Sequence, residues 1–161
     1  MEFRIAEPAD LEAITALINL AFQVERFFVD RDRIDTEAVR DLAAKGQFIL
    51  FADGEGLAGC VYVEIKGERG YVGLLSVDPG RQRAGLGSAL MQAAEEHCRK
   101  SGCRFADLRI VNIRRELPEF YRRLGYLETG SAPFTAGIVT KIPCHFVEMT
   151  KALDRASEAA G

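Results

Sequence analysis

Two glycines beside a glutamine and an arginine form the part of this sequence best suited to binding an anion. Gly85 and Gly87 stand two residues apart, and Gln82 and Arg83 come just before them. A backbone without Cβ atoms lets a ligand approach closely, and the free N–H groups and dipole of a helix start attract negative charge. Gln82 and Arg83 add side-chain donors at the rim. We therefore predict that residues 82–88 hold a pyrophosphate group.

The elements around this loop support that prediction. Residues 70–77 are apolar and β-compatible, which predicts a strand, and Pro79 ends it. Residues 88–99 carry apolar side chains at helical spacing, which predicts a helix that begins at the glycines. On this helix we expect Glu95 and Glu96 to lie on the solvated face. A strand, a basic loop and a helix N-terminus therefore follow one another.

The order of residues in the loop separates it from two common phosphate-binding motifs. No Gly-Lys-Ser/Thr follows, as a Walker A loop requires, and Leu90 occupies the place of the third glycine in Gly-x-Gly-x-x-Gly. The string Gln82-Arg-Ala-Gly85-Leu-Gly87 fits Gln/Arg-x-x-Gly-x-Gly/Ala instead. In this the chain resembles the GNAT superfamily of N-acetyltransferases, whose loop of this form binds the pyrophosphate of acetyl-coenzyme A.

A second block is similar to the same superfamily. Strand residues 108–112 are followed by an aromatic helix that ends in Gly125-Tyr126. The segment between Asn112 and Tyr121 is longer than is usual in the family, and it contains Pro118. The resemblance implies that the following residues contact acetyl-coenzyme A: Leu75, Ser76, Val77, Gln82, Arg83, Ala84, Gly85, Leu86, Gly87, Ser88 and Asn112.

The order of predicted elements is that of an α/β protein: strand, two helices, three antiparallel strands, helix, strand, helix and two strands. Asp10 is a suitable N-cap for the first helix, and Gly46 is a suitable glycine just after the second. This order matches the GNAT fold. We predict a single domain over residues 1–153, with a central mixed, mostly antiparallel sheet of about six to seven strands flanked by about four helices. We expect residues 154–161 to form a frayed tail.

Tyr121 is the candidate general acid. Transfer of an acetyl group from a thioester leaves a thiolate that needs a proton, and a phenol with a pKa near 10 can supply it. The position of Tyr121 resembles that of the family's general acid, which is directed at the sulfur of the coenzyme. In the alternative interpretation, Tyr121 packs with Phe120 and Tyr126 as a core aromatic residue on a short helix.

Two carboxylates could accept the proton that the attacking amine must lose. Glu64 shares a strand face with Tyr62, and the resembled fold places this strand beside the coenzyme-binding strand, so Glu64 could act through water. It could equally be an exposed carboxylate at a strand end. Glu25 is the other candidate, because the segment after the first helix often covers the acceptor site in this fold. The resemblance thus implies acceptor contacts by Phe22, Glu25 and Phe28, which could otherwise be packing residues.

The resemblance also assigns the oxyanion donor to a backbone N–H near Leu75. In GNAT enzymes a bulge splays this strand from the next one, and the pantetheine arm lies in the gap. Gly73 is consistent with a distorted strand.

The overall composition argues against several classes of partner. A chain of 161 residues with 48% hydrophobic and 28% charged residues suits one globular domain. Its net charge of -3 gives no electrostatic case for nucleic acid or an anionic membrane, although the basic stretch 81–83 could still hold an anionic cofactor.

Without a signal-peptide layout or a membrane-length apolar run, we expect a cytoplasmic protein with reduced cysteines. Cys144 and His145 point to opposite faces of a strand, so we expect no metal site.

These features together predict an N-acetyltransferase that moves an acetyl group from acetyl-coenzyme A to a primary amine by direct attack. The acceptor would be a small molecule or a peptide. Two alternatives stay open: a non-catalytic coenzyme A-binding sensor or regulatory module, and an acyltransferase with a longer acyl donor or a hydroxyl acceptor. The loop binds the part that all acyl-coenzyme A molecules share, so it cannot select the acyl chain. A homodimer is common in the resembled family.

Overall fold

The structure, a computed structural model, describes residues 1–81 and 85–153. In this part of the chain the strands are β1 (Arg4–Ile5), β2 (Gln47–Asp53), β3 (Gly56–Lys66), β4 (Arg69–Val77), β5 (Phe105–Val111), β6 (Leu127–Pro133) and β7 (His145–Ala152). The α-helices are α1 (Leu11–Ala21), α2 (Thr36–Lys45), α3 (Leu86–Lys100) and α4 (Glu116–Arg123). Short 3-10 turns occupy Pro8–Asp10, Phe22–Glu25 and Pro79–Arg81. The predicted order of elements is confirmed.

The strands form one mixed sheet in the order β1-β2-β3-β4-β5-β7-β6. Every neighbouring pair is antiparallel except β4 and β5, which are parallel. This confirms the predicted mixed, mostly antiparallel sheet. The parallel pairing covers only three residues of each strand, from Arg69 opposite Phe105 to Tyr71 opposite Asp107. Beyond that point the two strands separate, and their facing backbone groups have no partner in the sheet.

Helices cover both faces of the sheet. Helices α1 and α2 pack on one face, where they bury Phe48 and Leu50 of β2, whereas α3 and α4 pack on the other, where they bury Ile49 and Phe51. Successive side chains of a strand point to opposite faces, so a strand covered on both sides is apolar at every position. The sheet therefore divides the core in two, and it holds β4 and β5 at the centre of the molecule.

Two of the predicted helix ends have a different physical basis from the one expected. Asp10 precedes α1 as predicted, but its carboxylate accepts the Glu7 backbone N–H at 2.7 Å and two bonds of 2.8 Å from Arg4 instead of capping α1. Gly46 follows α2 as predicted, but its φ of -149° is extended rather than left-handed. A Cβ there would lie 2.7 Å from the Tyr62 hydroxyl, so glycine is required for space.

The prediction that Glu95 faces solvent was wrong. Its side chain is 4% exposed and forms an ion pair of 2.8 Å with Lys151 of β7. The Tyr126 hydroxyl donates a hydrogen bond of 2.9 Å to the same carboxylate, and burial and this contact raise the pKa of Tyr126. Glu96 does lie on the surface, within 3.5 Å of Arg99. Helical spacing alone could not show that β7 and the segment after α4 would cover one side of α3.

All four cysteines are free thiols, three of them buried. Burial raises the pKa of Cys60 to about 12, so this thiol stays protonated. The structure's described residues contain no group of three or more His, Cys, Asp or Glu arranged to hold a metal ion. None of the helices in those residues is long and apolar enough to cross a membrane.

Candidate functional site

The gap between β4 and β5 begins beside a bulge in β4. The register between β3 and β4 shifts so that Leu74 and Leu75 lie opposite Val61 alone. Leu74 has a φ of 54° and is the sole non-glycine with a positive φ among the described residues. Such a conformation costs on the order of 1–3 kcal/mol and is a feature of functional sites. Because a bulge bends its strand, it turns β4 away from β5, and the expected distortion near Leu75 is confirmed.

A cavity of about 190 Å³ lies where the two strands separate. The strands form its floor, the segment after α1 covers one side, and α4 closes the other. Four residues singled out from the sequence line it together: Phe22, Glu25, Leu75 and Tyr121. These residues span almost a hundred positions of the chain, and the fold brings them to one place. The cavity therefore combines a phenol, a carboxylate and a strained strand segment.

Tyr121 is both a packed aromatic residue and a cavity residue. It is 8% exposed, and its ring packs edge-on against Phe120 and Tyr126, with centroid distances of 5.0 and 5.9 Å. Within residues 1–81 and 85–153 its hydroxyl forms no hydrogen bond, so that group is available to a ligand in the cavity. Burial raises the pKa of Tyr121 to about 12. The phenol therefore stays protonated at physiological pH, as a proton donor must.

Glu25 lies in the 3-10 turn after α1 and is held by an arginine from the loop before α4. Its carboxylate accepts a hydrogen bond of 2.9 Å from Arg114, and the two side chains are 12% and 16% exposed. Arg114 also contacts Glu116 at 3.0 Å. Burial raises the pKa of Glu25, and Arg114 opposes that rise. A carboxylate with a raised pKa is a better proton acceptor than an ordinary one, so Glu25 suits the role of base.

Glu64 lies outside this cavity. It lines a neighbouring hollow of about 670 Å³, which shares Tyr71 and Leu74 with the cavity. The Tyr62 hydroxyl donates to Glu64 at 2.7 Å, and Lys66 lies 3.3 Å away. The Tyr62 hydrogen bond, with help from Lys66, holds the pKa of Glu64 below its usual range. The structure thus does not bring Glu64 to Tyr121, and its contacts weaken it as a base.

The start of α3 lies beside the cavity wall. Gly85 has a φ of 81° as the N-cap residue, a conformation that favours glycine. A Cβ on Gly87 would lie 3.5 Å from the Phe120 ring and 4.0 Å from the Leu75 side chain. The first turn carries no acidic residue, and its N–H groups have no partner inside the helix. Within it Leu86 is buried and Ser88 is half-buried.

The three residues before Gly85 complete the predicted pyrophosphate loop. Gln82, Arg83 and Ala84 lie outside the described residues, so their predicted role is carried by the sequence alone. Arg81, in contrast, is described and does not present a free charge to the loop. Its side chain is 16% exposed and pairs with Asp53 at 2.5 Å and Asp78 at 3.5 Å. Arg81 therefore ties the turn before α3 to the end of β2.

Two other expected coenzyme contacts on β4 serve the strand itself. The Ser76 hydroxyl is buried and donates a hydrogen bond of 2.9 Å to the carbonyl of Leu74. This bond spans the bulge, so it stabilises the distorted backbone. Val77 is partly buried and packs against the core beneath α3. Their side chains therefore shape the strand, and backbone groups are what this part of β4 offers to a ligand.

Asn112 and Phe28 do not line the cavity. Asn112 ends the β5–β7 pairing, because its side-chain oxygen accepts the His145 N–H at 2.8 Å and its own N–H donates to the His145 carbonyl at 2.9 Å. Phe28 is fully buried, with its ring 6.3 Å from that of Phe134. The expected contacts of Asn112 with the coenzyme and of Phe28 with the acceptor therefore have no counterpart in this cavity.

Sequence reasoning missed four arginines that line the cavity: Arg31, Arg33, Arg109 and Arg114. Arg33 lies between the 3-10 turn after α1 and α2, and Arg114 lies between β5 and α4, so only the tertiary structure brings them together. The sequence did contain a signal that could have identified Arg109. It stands between the buried Leu108 and Ile110 on the strand expected to border the coenzyme, and a charged residue there points to one face of the gap.

Comparisons with known proteins agree with this geometry. The family model described as "Acetyltransferase (GNAT) family" matches residues 11–126. A comparison with curated protein sequences finds no match.

Several solved structures share the fold. Ard1 from Thermoplasma volcanium is 18% identical with a TM-score of 0.79, and 96% of this chain and 98% of that one are covered. Nourseothricin acetyltransferase is 22% identical with a TM-score of 0.75, covering 95% and 98%. Aminoglycoside 6'-N-acetyltransferase, solved in complex with coenzyme A, is 17% identical with a TM-score of 0.75, covering 96% and 98%. At these identities the likeness establishes the fold.

Proposed function

The chain belongs to the GNAT acetyltransferase family and is an acetyl-coenzyme A-dependent acyltransferase, and from this premise we propose that it acetylates a primary amine by direct attack. The observation that carries the proposal is the shared cavity of Glu25, Leu75 and Tyr121 at the split between β4 and β5. Acetyl transfer to an amine needs a proton acceptor, a donor to the developing oxyanion and a proton donor. Glu25 suits the first task, the backbone near Leu75 the second and Tyr121 the third.

The chain offers a path for the coenzyme from the start of α3 to Tyr121. The first-turn N–H groups at Gly85 to Ser88 would bind the pyrophosphate, with Gln82 and Arg83 as further donors. The unpaired edges of β4 and β5 would hold the pantetheine arm by backbone hydrogen bonds, as a third strand would. Gly87 has no side chain to block the passage beside Phe120 and Leu75. The acetyl group supplied by the coenzyme then reaches the cavity.

Glu25 acts as the base in this proposal. An alkylamine is an ammonium ion at neutral pH and cannot attack a thioester until it loses a proton. Glu25 accepts that proton, directly or through water, and the neutral nitrogen attacks the thioester carbon. Arg114 holds the Glu25 carboxylate in the cavity. We prefer Glu25 to Glu64 because it shares the cavity with Tyr121 and because burial raises its pKa, whereas the pKa of Glu64 is lowered.

The bulge and Tyr121 complete the transfer. The backbone N–H near Leu75 donates to the oxygen that becomes negative as the new N–C bond forms, and such a donor contributes about 10²–10³ in rate. Bulged backbone is suited to this task because it is released from the sheet ladder. When the C–S bond breaks, the Tyr121 hydroxyl gives its proton to the departing sulfur. The attacking nitrogen, which is positively charged after the N–C bond forms, loses its second proton to water as the amide forms. The tyrosinate then regains a proton from solvent and Glu25 releases its own, so one proton is released overall.

The proposal is tested by mixing the protein with acetyl-coenzyme A and a panel of primary amines and measuring thiol release and the acetylated product by mass spectrometry. We expect one or more amines to be acetylated, and matched alcohols to give no product. Acetylation of alcohols only would favour the hydroxyl-acceptor alternative, and faster transfer from longer acyl-coenzyme A donors would favour a different acyl group. Tight coenzyme A binding without thiol release from any acceptor would favour the sensor module and overturn the proposal.

A further inference from the structure

Two arginines face both the cavity and the neighbouring hollow. Arg33 comes from the segment between the 3-10 turn after α1 and α2, and Arg109 comes from β5. Both line the 190 Å³ cavity and the 670 Å³ hollow, and both are exposed there. Within residues 1–81 and 85–153 neither forms an ion pair. The boundary between the two spaces therefore carries two positive charges that have no ion-pair partner in the described part of the chain.

The backbone and the aromatic residues around them hold both arginines in place. The Asn19 side chain donates to the Ile34 carbonyl at 2.8 Å and accepts the Ile34 N–H at 3.0 Å, which fixes the residue next to Arg33 against α1. The Arg33 guanidinium carbon lies 5.4 Å from the centroid of the Phe22 ring. That of Arg109 lies 4.3 Å from the centroid of Phe146 on β7. Stacking of this kind orients a guanidinium without neutralising it.

Most of the nearby acids are already paired with other cations. Glu25 pairs with Arg114, and Asp107 holds Arg69 by two bonds of 2.7 Å. Glu64 lies 3.3 Å from Lys66. Asp32, which also lines the cavity, pairs with Arg26 at 2.6 Å. Glu148 is opposite Arg109 in the β5–β7 register and forms no ion pair in the described part of the chain.

The two cations also act on each other. Although part of Arg33 is exposed, the surrounding protein shields its guanidinium from bulk water and lowers its pKa. The negative charge of Glu25 opposes that shift, and the positive charge of Arg109 adds to it. Two like charges that face a common space are mutually unfavourable, and an anion between them relieves the repulsion. A guanidinium presents a planar fork that matches a carboxylate, with two parallel N–H···O bonds.

We infer that the acceptor is an amine that also carries a carboxylate, and that Arg33 and Arg109 bind this carboxylate. The inference rests on the proposed function, because it concerns the substrate of the same site. The amine then enters the cavity toward Glu25 and Tyr121, the carboxylate lies at the boundary, and the remainder of the molecule extends into the hollow. The attraction between the carboxylate and the two guanidiniums selects for an acid over its neutral amide, since the amide leaves both guanidiniums unpaired.

Kinetics on matched pairs test the inference. The probes are the common α-amino acids, their α-amides and the corresponding decarboxylated amines, each with acetyl-coenzyme A. We expect kcat/KM to be at least tenfold higher for the acid than for its amide. Arg33→Gln and Arg109→Gln should each reduce this acid-to-amide ratio more than tenfold. Arg40→Gln, at an exposed arginine of α2 outside both spaces, is the control and should leave the ratio as in wild type. An equal preference for acid and amide in wild type would overturn the inference.

A binding measurement separates this inference from the proposed function. The same acids and amides are mixed with protein saturated with coenzyme A, and binding is read by ligand-observed saturation-transfer NMR, which needs no turnover. The inference is supported if acids bind, amides do not, and the signal of the acids is lost in Arg33→Gln. This holds even if acetyl-coenzyme A releases no thiol, because that result would contradict only the proposed function. Binding of neither class, or of O-phosphoethanolamine alone, would overturn it. So would a drop of more than tenfold in coenzyme A affinity in Arg33→Gln, since the arginines would then serve the coenzyme.

Discussion

Glu25 and Arg114 are joined by an ion pair of 2.9 Å although 89 positions separate them in the chain. The contact fastens the turn after α1 to the loop that leads into α4, the helix of Tyr121. The proposed base and the proposed acid are therefore held by one connection across the cavity. A change at either end of this ion pair should alter proton transfer before it alters the fold.

Replacing Glu25 with glutamine tests the base. Glu25→Gln keeps size and hydrogen bonding but removes the proton acceptor, so kcat at saturating amine should fall by roughly 10²–10⁴. The loss should shrink as pH rises, because free amine becomes more abundant. The measurement is a pH–rate profile of thiol release. Glu116→Gln is the matched control, because Glu116 contacts the same Arg114 but is 66% exposed and outside the cavity. Equal effects of the two substitutions would assign the loss to Arg114 rather than to a base.

Replacing Arg114 should move the pH dependence. Arg114 holds the pKa of Glu25 down against the effect of burial, so Arg114→Gln should raise that pKa further. The active carboxylate form would then be lost at a higher pH as the solution is acidified, and the acid limb of kcat/KM should shift upward. The neighbouring Arg115→Gln, at an exposed position, should leave the limb in place. An unmoved acid limb in Arg114→Gln would mean that another group controls it.

The hydroxyl of Tyr121 can be removed with little change in volume. Tyr121→Phe should reduce kcat by roughly 10²–10⁴ and leave coenzyme A affinity nearly unchanged, because a general acid acts in the transition state. Since burial raises the pKa of Tyr121 to about 12, the wild-type rate should show no loss from its ionisation at pH 9. Tyr126→Phe is the control: it removes a hydrogen bond to Glu95, which costs about 1.5–3 kcal/mol of stability, but turnover should persist. Full turnover in Tyr121→Phe would assign the proton to another donor.

A carboxylate at the start of α3 should weaken coenzyme binding. A Cβ at Gly87 meets only ordinary contacts with Phe120 and Leu75, so Gly87→Asp should fold, but its charge would repel a pyrophosphate. We expect coenzyme A affinity by calorimetry to fall by well over tenfold, with an unchanged circular dichroism spectrum. Ser101→Asp places the same charge at an exposed position beyond the other end of α3 and should leave affinity unchanged. Native affinity in folded Gly87→Asp would place the pyrophosphate elsewhere.

The buried carboxylate of α3 should matter for stability rather than for catalysis. Glu95→Gln leaves the Lys151 ammonium, which is 24% exposed, without its closest ion-pair partner. Breaking a buried pair on one side costs about 3–5 kcal/mol, and the partial exposure of Lys151 favours the lower end. Urea denaturation at neutral pH measures the loss. Glu96→Gln, at the next position but 55% exposed, should change stability by less than about 0.5 kcal/mol. Equal stabilities of the two variants would contradict the structural role of Glu95.

The sequence by itself determined the order of the elements and the glycine loop. Local signals were sufficient there: alternating apolar residues define β5 over Phe105–Val111, and helical spacing with a following glycine defines α2 over Thr36–Lys45. The φ of 81° at Gly85 favours glycine, and this backbone conformation is a local property. For that reason the fold class and the family could be predicted from residues close together in the chain.

The composition of the cavity was decided by the tertiary structure. From the sequence, Glu64 was the first candidate for the base and Glu25 the second. The tertiary contacts favour the reverse order, because the turn after α1 packs against the loop before α4, whereas Glu64 pairs with Tyr62 and Lys66 in the neighbouring hollow. Arg33 and Arg109 line the same two spaces for the same reason. Burial and charge pairing depend on contacts between distant segments, and no local pattern of residue types records those contacts.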